Sequence, residues 1–231
     1  MLIAIIAAMS EETDFLVSQL SAPKPISWCH YQFYQGTIGR HKVVVVQGGV
    51  GKTASGMLLS ALMANFPNVD KIINIGVAGG VLGKTKVGDL VVSEKMAYGD
   101  VDIRGGGKYL YGQMSGCPRF FTGDSALLEQ IKALKSIKAL FGGIISTDRF
   151  VTNHKETSNL INRYFSDLNV LCFDMESAAF AQGCFVFKKP FLSVRAISDV
   201  VGENLQGEFT NNLNQACLIS NQFLIQLLSQ I

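Results

Sequence analysis

Apolar residues along the chain fall into short continuous runs that alternate with longer segments of helical spacing. The runs are rich in Val and Ile and are apolar at consecutive positions, which is typical of strands covered on both faces. They lie at Leu2–Ala7, Val43–Val46, Ile72–Ile75, Leu90–Ser93, Gly143–Ser146, Val170–Phe173 and Phe191–Ile197. The helical segments lie at Glu11–Leu20, Lys52–Asn65, Ser125–Leu140, His154–Phe165, Ser177–Phe187 and Asn211–Ile231. This alternation predicts an α/β fold around a mostly parallel, twisted sheet.

The length of the chain predicts a single domain that spans residues 1–231. Its 231 residues, 48% of them hydrophobic, are enough for one well-buried core, and no linker or internal repeat divides them. The stretch from Tyr98 to Phe121 is long for a connection, and the sequence leaves open whether it is a functional or interface loop or a floppy excursion. A net charge of +2 without a basic stripe argues against nucleic acid as a partner.

The cysteines and the N-terminal run indicate the compartment. Five cysteines are scattered without a Cys-x-x-Cys or Cys/His cluster, which favours a reducing environment and argues against a structural metal. The apolar run from Leu2 to Ala8 lacks a basic flank and is too short for a membrane span. We therefore expect a cytoplasmic protein with no membrane partner.

The segment from Gln47 to Thr53 suggests a phosphate-binding loop, because glycines and a Lys-Thr pair follow a strand and open a helix. The pattern requires a glycine five residues before Gly51, and that position is Val46. A tight strand-to-helix turn explains the glycines equally well, so a nucleotidase of this type is disfavoured.

Ligands of open α/β sheets bind outside the carboxyl ends of the strands, so the residues there are candidates for chemistry. The first strand leads to Glu12 in the first turn of a helix that Ser10 is expected to cap; stabilisation of the helix dipole is the alternative role for Glu12. The third strand ends in Gly76–Gly80, where glycines either let a ligand approach the backbone or form a tight turn.

Two later strands end in charged residues. Asp174-Met175-Glu176 follows an apolar strand, and a carboxylate there can bind vicinal sugar hydroxyls. Taken alone, the segment favours the alternative that Glu176 begins a helix and Met175 is a core residue. The last strand carries Arg195, Ser198 and Asp199 in apolar surroundings. Charged residues are seldom buried unless they are paired, so this cluster forms either a site or an internal ion pair.

Six motifs, taken together, resemble the 5′-methylthioadenosine/S-adenosylhomocysteine nucleosidases. Each is weak alone, but the ordered set covers nearly the whole chain and is specific. The motifs are Met9-Ser10-Glu11-Glu12, Gly49-Val50-Gly51-Lys52, Gly76-Val77-Ala78-Gly79-Gly80, Val87-Gly88-Asp89, Phe173-Asp174-Met175-Glu176 and Val194-Arg195-Ala196-Ile197-Ser198-Asp199.

The resemblance implies a purine-nucleoside-phosphorylase-like fold with a twisted, mixed central sheet flanked by helices. It implies a homodimer that hydrolyses the N-glycosidic bond of 5′-methylthioadenosine, S-adenosylhomocysteine and 5′-deoxyadenosine without metal or cofactor, in methionine salvage and the recycling of S-adenosylmethionine by-products. In that family the residue matching Asp199 protonates adenine N7, and the residue matching Glu12 activates water.

The same resemblance assigns the substrate contacts. Glu176 matches the ligand of the ribose hydroxyls, Met175 the residue under the sugar, and Arg195 a support for the water and its carboxylates. Adenine and the 5′-alkylthio group are contacted by the remaining positions. Phe150 matches the aromatic residue that stacks on adenine, and Val151 the residue whose backbone reads its Watson–Crick edge. Met9, Val50 and Phe209 match the alkylthio pocket, and Ala78, Gly79 and Ser198 are further substrate-binding positions.

Chemistry agrees with these implied roles, because adenine leaves readily only once N7 is protonated. The acid must keep its proton near neutrality, and an apolar strand end around Asp199 is expected to supply the raised pKa. The ribose becomes an oxocarbenium-like cation that Glu176 can stabilise, while water enters from the opposite face with Glu12 as base. Acid and base on opposite faces predict inversion at the anomeric carbon.

Departures from the family pattern leave the substrate open. Val77 stands where many relatives have a serine near the catalytic acid, and Gly99 where a histidine is frequent, beside a Gly-rich loop from Asp102 to Gly116. A 6-amino-6-deoxyfutalosine hydrolase of the menaquinone route shares the motifs. A phosphorylase is less favoured because Glu11 and Glu12 would repel phosphate, and a non-catalytic nucleoside-binding protein would not need both Glu12 and Asp199.

Overall fold

The computed structural model describes residues 1–134, 138–202 and 205–231, of which 205–208 are described by their backbone alone. The strands are β1 Leu2–Ala7, β2 Ser21–Trp28, β3 Tyr31–Ile38, β4 His41–Gln47, β5 Lys71–Gly80, β6 Leu90–Tyr98, β7 Phe121–Thr122, β8 Leu140–Ser146, β9 Val170–Asp174 and β10 Phe191–Val200. The helices are α1 Ser10–Ser18, α2 Lys52–Asn65, α3 Ser125–Ala133, α4 His154–Tyr164, α5 Ser177–Phe187 and α6 Leu205–Gln230. The predicted α/β alternation is confirmed.

All of these strands belong to one sheet. Its order is β10-β6-β8-β9-β5-β1-β4-β3-β2, with β7 beside β6, and β10 also pairs with β5. The extra pairing closes β5, β10, β6, β8 and β9 into a ring. Pairs such as β1 with β4 and β1 with β5 are parallel, and pairs such as β5 with β9 and β6 with β10 are antiparallel. The sheet is therefore mixed, and the expectation of a mostly parallel sheet from alternation alone was wrong.

Two sets of helices cover the two faces of the sheet, as the continuous apolar runs predict. On β1, Ile3 and Ile5 belong to one buried cluster, and Ala4 and Ile6 belong to another. The alternation follows from the two-residue period of a strand. Helices α1, α3 and α6 contribute to the first cluster, and α2 and α5 to the second.

Several boundaries differ from the sequence-based prediction. The helix predicted over Ser125–Leu140 ends at Ala133, and Leu140 is the first residue of β8; residues 135–137 of that prediction lie outside the described part of the chain. Helix α6 begins at Leu205, before the predicted start at Asn211. Strands β2, β3 and β7 were missed. Strand β2 is almost fully exposed and contains Pro23 and Pro25, which are tolerated on an edge strand.

The connection between β6 and β7 is anchored to the rest of the molecule. The Tyr111 hydroxyl donates to the Gly99 carbonyl at 2.9 Å, and the Arg119 guanidinium forms an ion pair with Asp167 at 3.1 Å. The Arg104 guanidinium lies over the stacked rings of Tyr111 and Tyr164. These contacts argue against a floppy excursion. Within the described residues, the helices include none that is long and apolar enough to cross a membrane.

Candidate active site

A cavity of about 250 Å³ opens where several strands end at their carboxyl termini. Twelve of the thirteen predicted site residues line it, and Arg195 lies buried behind them. The lining also includes residues that the sequence analysis did not assign to the site. These are Ala8, Val77, Arg149, Phe173 and Asp174.

Glu12 is placed by β1 and by the start of α1. Its Oε2 accepts hydrogen bonds from the amides of Ala8 at 2.9 Å and Met9 at 3.0 Å, and Oε1 accepts one from the amide of Val77 at 3.1 Å. Met9, and not Ser10, occupies the N-cap position, because Glu12 reaches back to the backbone in place of a serine cap. The side chain is thus buried and held by two strands, which goes beyond a role in dipole stabilisation.

Ser198 and Asp199 lie on β10 at an irregularity in its pairing with β5. The register shifts by one residue between Ile197 and Asp199, so that Asp199 pairs with Gly79. Such bulges re-aim side chains and are common beside active sites. Asp199 is 1% exposed, and its Oδ1 accepts a hydrogen bond from the Ser198 hydroxyl at 2.8 Å. The geometry holds a carboxyl group against the floor of the cavity.

The Gly76–Gly80 segment is the end of β5, so the interpretation of this segment as a tight turn was wrong. Val77 and Ala78 pair with Ala196 and Ile197 of β10, and the strand continues to Gly80. A side chain at Gly76 would collide with the Arg195 guanidinium and the Glu12 carboxylate. The absence of a side chain at Gly76 therefore lets the charged groups of Arg195 and Glu12 approach the strand closely.

Arg195 is buried among carboxylates. Its Nη2 lies 2.6 Å from Asp174 Oδ2 and 3.5 Å from Glu176 Oε2, and it also donates to the Asn74 side-chain oxygen. Burial alone would lower the pKa of Arg195, but the neighbouring carboxylates, Asp174 first and then Glu176 and Glu12, raise it above its usual value. The arginine is thus a fixed positive charge beneath the cavity.

Glu176 and Met175 connect β9 to α5. Glu176 occupies the N-cap position of α5, and its Oε1 accepts a hydrogen bond from the amide of Gly51 at 3.0 Å. Met175 is only partly buried and lines the cavity, so the alternative of a core methionine was wrong. Burial raises the pKa of Glu176 to about 7, with a further rise from Asp174 and an opposing effect of Arg195.

The floor of the cavity holds more negative than positive groups. Glu12, Asp174 and Glu176 face a single guanidinium, that of Arg195. Burial raises the pKa of Glu12 above its ordinary value of 4.5, although Arg195 and three backbone amides act in the opposite direction. Glu12 and Glu176 therefore bind protons more readily than exposed glutamates, which suits acid–base chemistry near neutrality.

The rim of the cavity is apolar. Val50 and Phe150 are about half exposed, and the ring of Phe150 meets that of Phe209 edge to face at 5.4 Å between centroids. Met9 and Val151 complete this side of the lining. A polar floor under a flat apolar rim fits a ligand with a hydroxyl-rich part and an aromatic part.

The glycine-rich turn before α2 does not resemble a nucleotide phosphate site. Gly49 and Gly51 have φ of 90° and 99°, which favours glycine. The Lys52 ammonium forms an ion pair with Asp100 at 2.6 Å, and its amide donates to Asp148 Oδ1 at 2.9 Å. The turn brings the Gly51 amide to Glu176, so it supports the floor of the cavity.

Comparisons with known proteins agree with this geometry. Residues 2–229 match the model of a family described as the phosphorylase superfamily. A 5′-methylthioadenosine/S-adenosylhomocysteine nucleosidase of Listeria monocytogenes is 35% identical over 238 residues that cover all of both chains. The structure of the corresponding S. pneumoniae nucleosidase with the transition-state inhibitor MT-ImmA superposes with a TM-score of 0.92 at 35% identity, covering 100% of this chain and 99% of that one.

A more distant structure shares the fold alone. A futalosine hydrolase mutant of Helicobacter pylori superposes with a TM-score of 0.90 at 24% identity, covering 100% of this chain and 99% of that one. Fold, site and comparisons together define an enzyme of the phosphorylase superfamily. Within that superfamily, the chain belongs to the 5′-methylthioadenosine/S-adenosylhomocysteine nucleosidases, which are N-glycosyl hydrolases.

Proposed function

We propose that the chain hydrolyses the N-glycosidic bond of 5′-methylthioadenosine and S-adenosylhomocysteine, releasing adenine and the 5′-substituted ribose. The observation that carries the proposal is the convergence of Glu12, Glu176 and Asp199, three buried carboxyl groups from separate strand ends, on one cavity. The names of the relatives support the substrate class. The whole chain acts as one nucleosidase domain over residues 1–231.

Asp199 acts as the general acid that protonates adenine N7. The hydroxyl of Ser198 orients the carboxyl group through its bond to Oδ1. Phe150 stacks on the base and the Val151 backbone contacts its Watson–Crick edge, while Ala78 and Gly79 border the base beside Asp199. Protonation converts adenine from a poor anionic leaving group into a neutral one.

Glu176 binds the ribose hydroxyls above Met175. The Gly51 amide and Arg195 fix the two oxygens of the carboxylate, so its position is set before the sugar arrives. When the glycosidic bond breaks, the ribose gains positive charge, which an ionised carboxylate stabilises. Glu176 therefore binds the ground state and favours the transition state.

Glu12 activates the water that attacks the anomeric carbon. Three backbone amides hold the carboxylate, and burial raises its pKa, which makes it a stronger base than an exposed glutamate. Arg195 supports the carboxylates from behind. Because Asp199 acts on the base side and Glu12 on the opposite face, the reaction inverts the anomeric centre.

The 5′ substituent lies against Met9, Val50 and Phe209. This apolar part of the rim accepts a methylthio group and also the bare methyl group of 5′-deoxyadenosine. The reaction would serve methionine salvage and the recycling of S-adenosylmethionine by-products. We also expect a homodimer, which sedimentation velocity would detect as a species of twice the 25.1 kDa chain mass.

A second candidate is hydrolysis of 6-amino-6-deoxyfutalosine. A chamber of about 490 Å³ shares Arg149, Val151 and Phe173 with the cavity and offers room for a bulkier substituent. A phosphorylase is disfavoured because four carboxyl groups line the cavity, and Arg195 is already paired with Asp174. Phosphate would have to enter a strongly negative site.

Adenine release in phosphate-free buffer tests the proposal. Methylthioadenosine and S-adenosylhomocysteine are supplied separately, and the sugar product is identified before and after phosphate is added. Rapid release with free sugar under both conditions is the expected result. Release that requires phosphate would contradict hydrolysis, and release from 6-amino-6-deoxyfutalosine alone would favour the second candidate.

A further inference from the structure

Arg149 is a cation at the rim of the cavity that the catalytic scheme does not use. It follows the end of β8 and lines both the cavity and the adjoining chamber. Among the described residues that line the cavity, it is the only one with a positive charge. Its side chain is 64% exposed, so its guanidinium can turn towards solvent or towards a ligand.

Charge is distributed unevenly between the floor and the rim. Glu12, Asp174, Glu176 and Asp199 are buried at the floor. An anionic group on a ligand would meet repulsion there and lose hydration. A carboxylate carried by the ligand is therefore favoured only at the rim, beside Arg149.

The peptide that carries Arg149 borders the pocket for the 5′ substituent. Asp148 accepts the Lys52 amide at 2.9 Å, and the preceding Gly51 amide donates to Glu176 at 3.0 Å. These bonds tie the segment before Phe150 to the turn that carries Val50. Because Val50 and Arg149 line the same cavity, we expect a substituent that leaves the ribose along Val50 to pass Arg149.

The present partner of Arg149 is easily replaced. The guanidinium forms an ion pair with Glu156 of α4, and both side chains are more than half exposed. Exposed pairs of this kind contribute little and are screened by salt. A ligand carboxylate can take the place of Glu156 and accept a two-pronged hydrogen bond from the guanidinium.

We propose that Arg149 is a specificity-determining residue that binds a carboxylate on the 5′ substituent, releasing Glu156. The inference rests on the proposed nucleosidase function. It assigns to Arg149 the carboxylate of the amino-acid tail of S-adenosylhomocysteine, which methylthioadenosine lacks. Arg149 does not touch the reacting atoms and acts on substrate preference.

The test is the ratio of kcat/KM for S-adenosylhomocysteine to kcat/KM for methylthioadenosine. Arg149→Gln should lower this ratio by about two- to fivefold, the range expected for a partly exposed charge pair. Glu156→Gln should raise it, because Arg149 loses its competing partner. Lys155→Gln removes a neighbouring exposed charge of α4 that does not line the cavity, and it should leave the ratio unchanged.

A substrate that lacks only the carboxyl group isolates its contribution. The decarboxylated analogue of S-adenosylhomocysteine should respond to Arg149→Gln as methylthioadenosine does. In addition, 0.5 M salt should move the wild-type ratio towards that of the variant, since the Debye length is then only about 4–5 Å. An unchanged ratio in Arg149→Gln, with both substrates still cleaved, would overturn this inference and leave the proposed function intact. Cleavage of neither substrate by the wild-type chain would overturn both. If Arg149→Gln lowered kcat/KM only for a substrate whose 5′ substituent carries an aryl carboxylate, and not for S-adenosylhomocysteine, the assignment to the amino-acid tail would be overturned.

Discussion

Asp199 gains its distinct surroundings from one irregular position in β10. The shift in register at Ser198 places the carboxyl group beside Gly79, where β5 has no side chain to fill the space. The Ser198 hydroxyl then fixes one oxygen at 2.8 Å. A regular strand would lack the extra residue whose hydroxyl orients this carboxyl group. The proposed acid thus depends on a local feature two residues long.

Replacing Asp199 by Asn should keep the fold and remove the acid. An amide has the same shape but no acidic proton, so we expect kcat/KM for methylthioadenosine to fall by about 10²–10⁴-fold. Thermal unfolding should change by only a few degrees. Asp14→Asn alters an exposed carboxylate of α1 and serves as the control. A near-normal rate in Asp199→Asn would show that the general acid is another group.

Strand β5 allows Glu12, Arg195 and Asp199 to lie close together because it has glycines at positions 76 and 79. At Gly76 the strand passes against both Glu12 and Arg195, and a methyl group there would displace at least one of them. Neither can move far, since Glu12 is held by three amides and Arg195 by Asp174 and Asn74. The glycine is a requirement of the site and not of a turn.

Gly76→Ala should therefore impair both activity and stability. Displacing a reacting group by about 1 Å costs on the order of 10²-fold in rate, and overpacking a core costs about 1–3 kcal/mol of unfolding free energy. The matched control is Gly56→Ala in α2, where an added methyl group meets nothing within 4 Å. That change should stabilise the helix by about 0.5–1 kcal/mol. Denaturant unfolding and adenine release are measured on both variants. If Gly76→Ala and Gly56→Ala behaved alike, the proposed crowding at Gly76 would be contradicted.

The sequence identifies some elements of the fold and misses others. Strands β1, β4 and β10 are recognisable because their continuous apolar runs are buried on both faces. Strand β2 is exposed along most of its length, so no apolar run marks it. Gly76–Gly80 has the composition of a turn, but its glycines make room for side chains from distant parts of the chain, which the local sequence does not show. Arg149 belongs to no motif, and only the fold shows that it lines the cavity.

The buried charges also affect the stability of the whole molecule. Burial raises the pKa of Glu176 from 4.5 to about 7, and it raises that of Glu12 as well. Between about pH 4.5 and 7 the folded chain holds a proton on Glu176 that the unfolded chain has lost. Because the folded state then binds more protons, stability falls as the pH rises through this window.

We therefore expect the melting temperature to be higher at pH 5.5 than at pH 7.5. Glu176→Gln should flatten the dependence, because it removes a group that titrates in the window. Asp102→Asn is the control: a hydrogen bond from Arg104 lowers the pKa of Asp102 to about 2, so this group stays ionised throughout. A slope that Glu176→Gln does not change would assign the effect to other groups.

The ring of strands has a consequence for how the protein is made. Glu12 follows the first strand and Asp199 lies on the last, and β10 closes the ring by pairing with both β5 and β6. A ribosome that emits the chain from its N-terminus must therefore complete almost all of it before the cavity can exist. Contacts so distant in sequence also slow the search for the native state. Nascent chains that lack β10 would expose the apolar edges of β5 and β6, which makes synthesis the stage at which this enzyme is most prone to aggregate.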